Sequence, residues 1–450
     1  MKENAKMFHL NVSKWRKLLV VLIVVAFLLA ACQVLQGEHG KDHWESKKTS
    51  SDIPLIIWWT PLVDGGYESR RICDVSNICR FTTKRDQLQD ASAILFYGSN
   101  VKIGDFPLPR LPHHIWALIH EESPRNVPFM PYNDWLQHFN FTSTFSRNSN
   151  MPLTTYYLTD VENLTSPAYT IPIGEKSRHK DEALVLFIQS DCDTMSGRDD
   201  YVKELMNYIK VDSFGTCLKN RNLPKSLQVI QHDYLNNLYA PELLKFMARY
   251  KFVISYENGV CDDYITEKFW RPLIAGSIPI YYGSPSIKDW SPNEKSFIDV
   301  RDFKSPESLA IFLKELDSND RLYNSYLNHK YNMLQPIANK RLLNDLNNRK
   351  TAMYNGDIFQ SFECAVCSHV YNQKKNKASH MASEMHYQCA HEPVYPSMYA
   401  KVSNYDDWYS IMNVGKCKAH ILDQFFRQNK NFTSEEFMKK LNKELSLGKC

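Results

Sequence analysis

Apolar residues fall into short runs bounded by turn-forming or charged residues, and these runs alternate with stretches of helical spacing. Residues 53–59, 93–97, 115–119, 184–188, 211–215, 251–255 and 277–282 read as strands rich in β-branched and aromatic side chains. Val202, Leu205, Met206 and Ile209 recur at i, i+3, i+4, i+7 and predict a helix; Ile265, Phe269 and Leu273 predict another over 265–275, with Pro272 expected to kink it. A further helix starts from Pro241, and Ser305 as N-cap with Pro306 at the first helical position starts one running through Leu316. Strand and helix alternate, so an α/β fold with parallel sheets is the expected class.

The stretch 250–283 organises the rest. A strand, a loop, a helix and a second strand form one right-handed crossover, which sets the two strands side by side and leaves the loop 258–263 at their C-terminal edge, where ligands bind. Glu257, Asn258, Asp262, Asp263, Tyr264, Thr266, Glu267 and Lys268 all fall in that loop or in the first helical turn. Free backbone N–H groups and the positive end of the helix dipole suit a diphosphate there, with Lys268 adding a full charge. A solvated helix start with no ligand has the same pattern.

Residues 18–32 are an unbroken apolar run, and Trp15 on one side and Leu35 on the other extend it to the ~20 residues of a spanning helix. Lys2, Lys6, Lys14, Arg16 and Lys17 precede it, which places the N-terminus in the cytosol and everything downstream in the lumen. A cleaved signal peptide ending near Ala30-Ala31 is the rival reading. The expected organisation is a cytosolic tail (1–17), a transmembrane signal anchor (18–35), a stem (36–52), a first domain (53–180), a second domain (181–345) and a cysteine-containing C-terminal extension (346–450), with 166–181 as the linker. The five leader cations against Glu3 give a balance of +4, equal to the +4 of the whole 450-residue chain. The luminal part is therefore neutral, and the basic surplus of a nucleic-acid binder is missing.

Chemistry concentrates at few other places. The strand 115–119 runs into His120-Glu121-Glu122-Ser123-Pro124; adjacent strand residues face opposite ways, so one glutamate of the pair aims into a cleft, and His120 shares a face with Glu122 if the strand persists. Arg198 stands at a helix start, where a surface arginine on a helix is the plain reading. Asp191-Cys192-Asp193 has the D-x-D form that holds a divalent cation against a nucleotide diphosphate elsewhere, a weak pattern. Cys73 and Cys79 are expected to form a local disulfide in an oxidising lumen. Cys364 and Cys367, with Cys389 and His391 beyond, fit either disulfides or a zinc site, and the compartment favours disulfides. Asn140, Asn163 and Asn431 lie in luminal N-x-S/T sequons, and Asn11 in a cytosolic one.

Tyr256-Glu257-Asn258, then Asp263-Tyr264-Ile265-Thr266-Glu267-Lys268, then Ile278-Pro279-Ile280 resemble the signature of the α1,3-fucosyltransferases, glycosyltransferase family ten. Residues 260–263 and Phe269-Trp270-Arg271 are most similar to the subgroup of fucosyltransferases ten and eleven, the GDP-fucose protein O-fucosyltransferases three and four. The resemblance covers roughly 53–367. It implies a GT-B fold, two Rossmann-like domains facing across a cleft, with GDP-fucose as donor substrate and no cofactor or metal. It also implies that Glu122, opening the family's E-S-P triplet, is the catalytic base, that Arg198 and Lys268 bind the donor diphosphate, and that Asn258, Tyr264 and Glu267 contact the donor. A C-terminal C-x-x-C engaged in disulfides belongs to the same pattern. The segment FNFTSTFSR echoes a family strand, but Ser146-Arg147-Asn148 stands where the family often has R-x-D, in a region assigned to acceptor recognition. The implied reaction is inverting fucosyl transfer to an acceptor hydroxyl on a glycoprotein or cysteine-rich protein, in the endoplasmic reticulum or Golgi. Ser/Thr of folded EMI-type domains is the preferred acceptor and N-acetylglucosamine of glycans the alternative. A catalytically silent luminal lectin or folding helper is the reading of another class, opposed by intact Glu122, Arg198 and Lys268.

Overall fold

The computed structural model describes residues 53–60, 66–74, 76–158, 160–176, 181–233, 235–352, 357–375, 381–396 and 403–449. The expected tail, anchor and stem lie outside the described residues; among these, no helix is long and apolar enough to cross a membrane.

Two sheets carry the chain. The first contains β1 (Leu55–Thr60), β2 (Glu68–Ile72), β3 (Ile78–Thr82), β4 (Ala91–Tyr97), β5 (Ile115–His120) and β6 (Phe141–Thr144), in the order β2-β3-β1-β4-β5-β6. All its pairs are parallel except the β2–β3 hairpin at its edge. The second contains β7 (Val185–Gln189), β8 (Val211–Gly215), β9 (Phe252–Tyr256), β10 (Ile278–Tyr282) and β11 (Ile298–Asp299), all parallel, in the order β11-β10-β9-β7-β8. The expected crossover is present: β10 lies beside β9 with Ile278 opposite Phe252 and Tyr282 opposite Tyr256.

Parallel sheets are stable only when both faces are covered, hence their continuous apolar runs. In the second sheet the covers are local. Helix α1 (Arg198–Leu205) and α4 (Pro306–Ser318) place Val202, Leu205, Leu309 and Leu313 against Phe187, Ile254 and Ile280. On the other face α2 (Pro241–Ala248) and α3 (Glu267–Ala275) place Leu244, Phe269 and Leu273 against Leu186, Val253 and Tyr281. Ser305 caps α4 as expected, in a capping box closed by Ser308. Helix α1 stops at Leu205, short of the predicted periodicity, although Ile209 beyond it is still buried. Helix α3 runs through Pro272 to Ala275 and ends at Gly276, whose φ of +74° suits glycine.

The first sheet takes its covers from the far end of the chain. One face (Ile56, Trp58, Leu95, Ile119) packs on Phe362, Val366 and Val370 of α5 (Ile358–Lys375). The opposite face (Ile57, Phe96, Trp116, Leu118) packs on α6 (Tyr405–Gln428) and α7 (Ser434–Ser446) through Leu422, Phe426, Phe437 and Leu441. The segment after 346, read from sequence as an extension, is thus two walls of the first core. The expected linker also carries structure: Lys176 is buried and donates to the carbonyls of Ala248 and Tyr250 and to Ser277 Oγ.

The cysteines correct one expectation and decide another. Cys73 and Cys79 do not pair locally; the bridges are Cys73–Cys364 and Cys79–Cys367, spanning 291 and 288 residues. The i, i+3 spacing puts Cys364 and Cys367 on one face of α5, and that helix lies along β3, so each thiol meets a cysteine of the hairpin rather than its own neighbour. Cys192–Cys217 and Cys261–Cys389 are the other described bridges. The zinc alternative fails because Cys364, Cys367 and Cys389 are all oxidised, while His391 packs its ring on Tyr132. Proteolysis without reductant is expected to release peptides joining 73 to 364 and 79 to 367, and a 73–79 peptide would contradict this fold. Opening either bridge by Cys→Ser should lower stability by about 2–5 kcal/mol, measured by denaturant unfolding.

Candidate active site

Strand β5 ends at His120, and the two following glutamates part company. Glu121 turns back to the first sheet and accepts from Tyr97 on β4 at 2.8 Å. Glu122 reaches the second sheet: Tyr264 OH lies 3.2 Å from its Oε2 and 3.1 Å from Asn258 Oδ1, which also accepts from Ser123 Oγ at 2.9 Å. Tyr264 has one proton and faces two acceptors. A proton on Glu122 resolves the conflict, because the carboxyl then donates to the phenol oxygen while the phenol donates to Asn258. Burial raises the Glu122 carboxyl above its ordinary value; Lys268 pulls it down, and Glu267 and Asp191 push it up.

The start of α3 supplies the charged floor. Thr266 is its N-cap, and the fully buried Glu257 accepts from Thr266 N at 2.8 Å and Thr266 Oγ1 at 2.7 Å. Burial drives Glu257 up to about 6, opposed by Lys268. Lys268 Nζ sits 3.1 Å from Thr266 Oγ1, 3.2 Å from Glu267 Oε1 and 3.8 Å from Glu257 Oε2, and Arg271 reaches the same Glu267 oxygen at 2.8 Å. Carboxylates and cations therefore alternate in a largely buried space, where charge interactions are strong.

Arg198 lies beneath this floor. It is fully buried at the start of α1; its Nη1 donates to the Tyr256 carbonyl at 3.1 Å, its Nη2 to the Asp191 carbonyl, and its Nε has no partner. Asp191 also takes Arg125 at 2.8 Å, while the Asp193 carboxylate takes Asn404 and Cys192 between them is oxidised. Each aspartate of the D-x-D pattern thus has its own protein donor. Arg147, in the region assigned to acceptor recognition, is engaged by the second sheet: it pairs with buried Asp263 at 2.5 Å and with Asp289 at 2.7 Å, over the Trp290 ring. Burial alone would raise Asp263, but hydrogen bonds from Arg147, Trp290 and Ser286 hold it low.

Sequence reasoning missed a strap over the site, residues 382–390. Ala382 N donates to Phe139 O beside β6, Thr142 meets His386 Nδ1 at 2.9 Å, Asp262 N donates to Gln388 O, and Ala390 N donates to Val260 O. The Cys261–Cys389 bridge fastens it to the signature loop. From this strap the buried Tyr387 donates to the main-chain oxygen of Glu122. His120 Nδ1, 2.9 Å from Tyr387 OH, must then be the donor to it, and Nε2 accepts from Ser99 at 3.1 Å. Burial lowers His120 to about 3, so it is neutral. It was expected to share a face with Glu122 if the strand persisted; the strand ends at His120, whose ring meets Tyr387 instead. No local pattern marks Tyr387. Among the predicted residues, Glu122, Asn258, Tyr264, Glu267 and Lys268 come together around one space, and Arg198 lies behind them.

Two family profiles match the chain: "Fucosyltransferase, N-terminal" over 51–157 and "Glycosyltransferase family 10 (fucosyltransferase) C-term" over 177–386. The chain is 48% identical over 438 residues to alpha-(1,3)-fucosyltransferase B of Drosophila melanogaster, covering 96% of this chain and 97% of that protein. It is 40% identical over 414 residues to GDP-fucose protein O-fucosyltransferase 3 of Homo sapiens, covering 88% and 84%. A crystal structure of an alpha1,3-fucosyltransferase superposes with a TM-score of 0.42 at 15% identity, over 74% of this chain and 94% of that one. The chain belongs to glycosyltransferase family 10, the fucosyltransferases.

Proposed function

We propose that this enzyme transfers L-fucose from GDP-fucose, with inversion, to a Ser or Thr hydroxyl of a folded cysteine-rich (EMI-type) protein domain. The contact that carries the reaction is Glu122, on the first sheet, meeting Tyr264 and Asn258 of the signature loop on the second. Glu122 removes the acceptor hydroxyl proton as its oxygen attacks the fucose anomeric carbon; the bond from that carbon to the diphosphate breaks, and GDP leaves from the opposite face. Lys268, with Arg198 buried behind it, provides fixed positive charge for the leaving diphosphate. Asn258, Tyr264 and Glu267 contact the donor, Glu267 through ribose or fucose hydroxyls, and no metal enters the step. The relatives called GDP-fucose protein O-fucosyltransferase 3 support the protein acceptor. The relative called alpha-(1,3)-fucosyltransferase B supports the second reading, α1,3-fucosylation of N-acetylglucosamine. In the same reading the two sheets are the two halves of a GT-B enzyme, and residues 18–35 anchor it in the endoplasmic reticulum or Golgi membrane with the catalytic part luminal.

Incubation of the purified protein with GDP-fucose and each acceptor class tests the acceptor; fucose on the glycan but not on the folded domain would reverse the preference. Glu122→Gln should leave GDP binding near normal and cut transfer roughly 10²–10⁴-fold, while Lys268→Ala should weaken donor binding along with rate. If Glu122→Gln stays active and Glu121→Gln does not, the base is Glu121.

Glu122 works ionised, and its carboxyl is raised, so the acidic limb of the rate against pH is expected above the titration of a free glutamate. Lys268→Met removes the charge that pulls Glu122 down and should move that limb to still higher pH. An unmoved limb at saturating donor would detach Glu122 from it.

Glycan mapping tests topology. Asn163 and Asn431 are exposed, but Asn140 is buried, its Oδ1 accepting from Trp116 N at 3.0 Å. Glycans are expected on Asn163 or Asn431 and not on Asn140; one on Asn11 would reverse the orientation.

A further inference from the structure

A cavity of about 520 Å³ lies at the edge of the first sheet away from the candidate active site, between the starts of β5 and β6 and the ends of α5 and α6. Glu122 stands past the other end of β5, about 20 Å away at the rise of a strand. Arg110, His113, His114 and His138 form the titratable part of the wall, and among the described residues no carboxylate lines it. Asp423 meets His138 at 3.0 Å, but it also takes Gln137 and Arg427 and is not part of the wall. Residues 374–380, which join the lining residues Gln373 and Met381, contain Lys374, Lys375, Lys377 and His380 and no acid.

Arg110 is the centre of this excess of positive charge. Its Nη1 donates to His138 O at 2.7 Å and its Nη2 to His114 O at 3.1 Å and to Asn140 Oδ1, all of them uncharged acceptors. The Nε–H and the second Nη1–H have no acceptor among the described residues. The guanidinium carbon lies over the Trp116 ring, 4.6 Å from its centroid, so a ligand meets the group at its edge, where the N–H groups are. Burial lowers Arg110 to about 10 with no carboxylate to offset it, and at neutral pH it is still a cation. A desolvated cation without a counter-ion is costly, which makes an anion the matching guest.

We propose that this cavity binds an organic oxyanion, a phosphate ester, sulfate ester or carboxylate, whose charged group takes the open edge of Arg110 and whose apolar body lies against Leu111 and Met381. A planar guanidinium suits all three head groups, because its parallel N–H groups meet two oxygens at once. The volume exceeds what an inorganic anion fills and falls in the range of small-molecule sites. The proposal is independent of the donor reading, since none of these residues belongs to the catalytic cleft.

Calorimetric titration of the purified full-length protein with phenyl phosphate, phenyl sulfate and benzoate tests this, with inorganic phosphate, sulfate and chloride at equal ionic strength for comparison. The three organic anions distinguish the head groups, and the best of them should bind more tightly than any of the inorganic ions. Arg110→Met should weaken that binding roughly tenfold to a hundredfold, the loss of hydrogen bonds to a charged group. Lys268→Ala should leave it unchanged. The reverse pattern, loss in Lys268→Ala and retention in Arg110→Met, would put the anion in the catalytic cleft and overturn the inference. Organic anions that bind no better than chloride overturn it as well. Should Arg110→Met fail to fold, His113→Glu decides: it adds a negative charge at an exposed lining position, so binding should be lost, and undiminished binding sinks the proposal.

Discussion

The need to cover a parallel sheet on both faces governs this molecule. The second sheet meets that need with helices from its own crossovers, but the first does not: its covers, α5 to α7, are the last helices in the chain. The chain must therefore return from the second sheet to the first, and the strap 382–390 between α5 and α6 passes the edge where the two sheets meet. That route brings Tyr387 to the backbone of Glu122, Cys389 to the signature loop, and Asn404 to the loop before Arg198. A packing requirement thereby becomes a means of setting Glu122 against the signature loop.

The charges obey the same economy. Glu122, Glu257 and Glu267 are gathered in a small volume, where burial raises the carboxyls of Glu122 and Glu257. Lys268 and Arg271 set cations against Glu257 and Glu267, while Arg147 holds Asp263 across from the first sheet. A buried ion pair contributes little net stability, yet removing one partner strands the other, so such pairs fix geometry more than they add energy. The Arg147–Asp263 pair fixes how β6 stands against the signature loop.

What was legible in the sequence follows from range. The strands from β1 to β10 that face two cores show as apolar runs, and the crossover around α3 shows whole, because strand, cap and helix lie within some thirty residues of one another. The hairpin β2–β3 was missed: at the sheet edge its β2 alternates exposed and half-buried residues without an apolar run. Glu122 was found through the E-S-P triplet; it parts from Glu121 as expected, although the strand whose alternation led to that expectation ends at His120. The Cys73 and Cys79 partners were misjudged because cysteine spacing carries no information about a helix nearly three hundred residues away. Tyr387 and Asn404 left no trace for the same reason, being single polar residues whose meaning arises only where the chain comes back.

The long return path also orders events at the ribosome. When the first sheet emerges, neither of its covers has been made, and Cys73 and Cys79 have no correct partner until α5 is synthesised, 291 and 288 residues later. At about 5–20 residues per second this wait lasts on the order of 15–60 s. Throughout it an apolar sheet and two free thiols stand open to wrong neighbours, and each of those thiols can bond to the other. For as long as its last helices are missing, the newborn chain has a first core that it cannot close by itself.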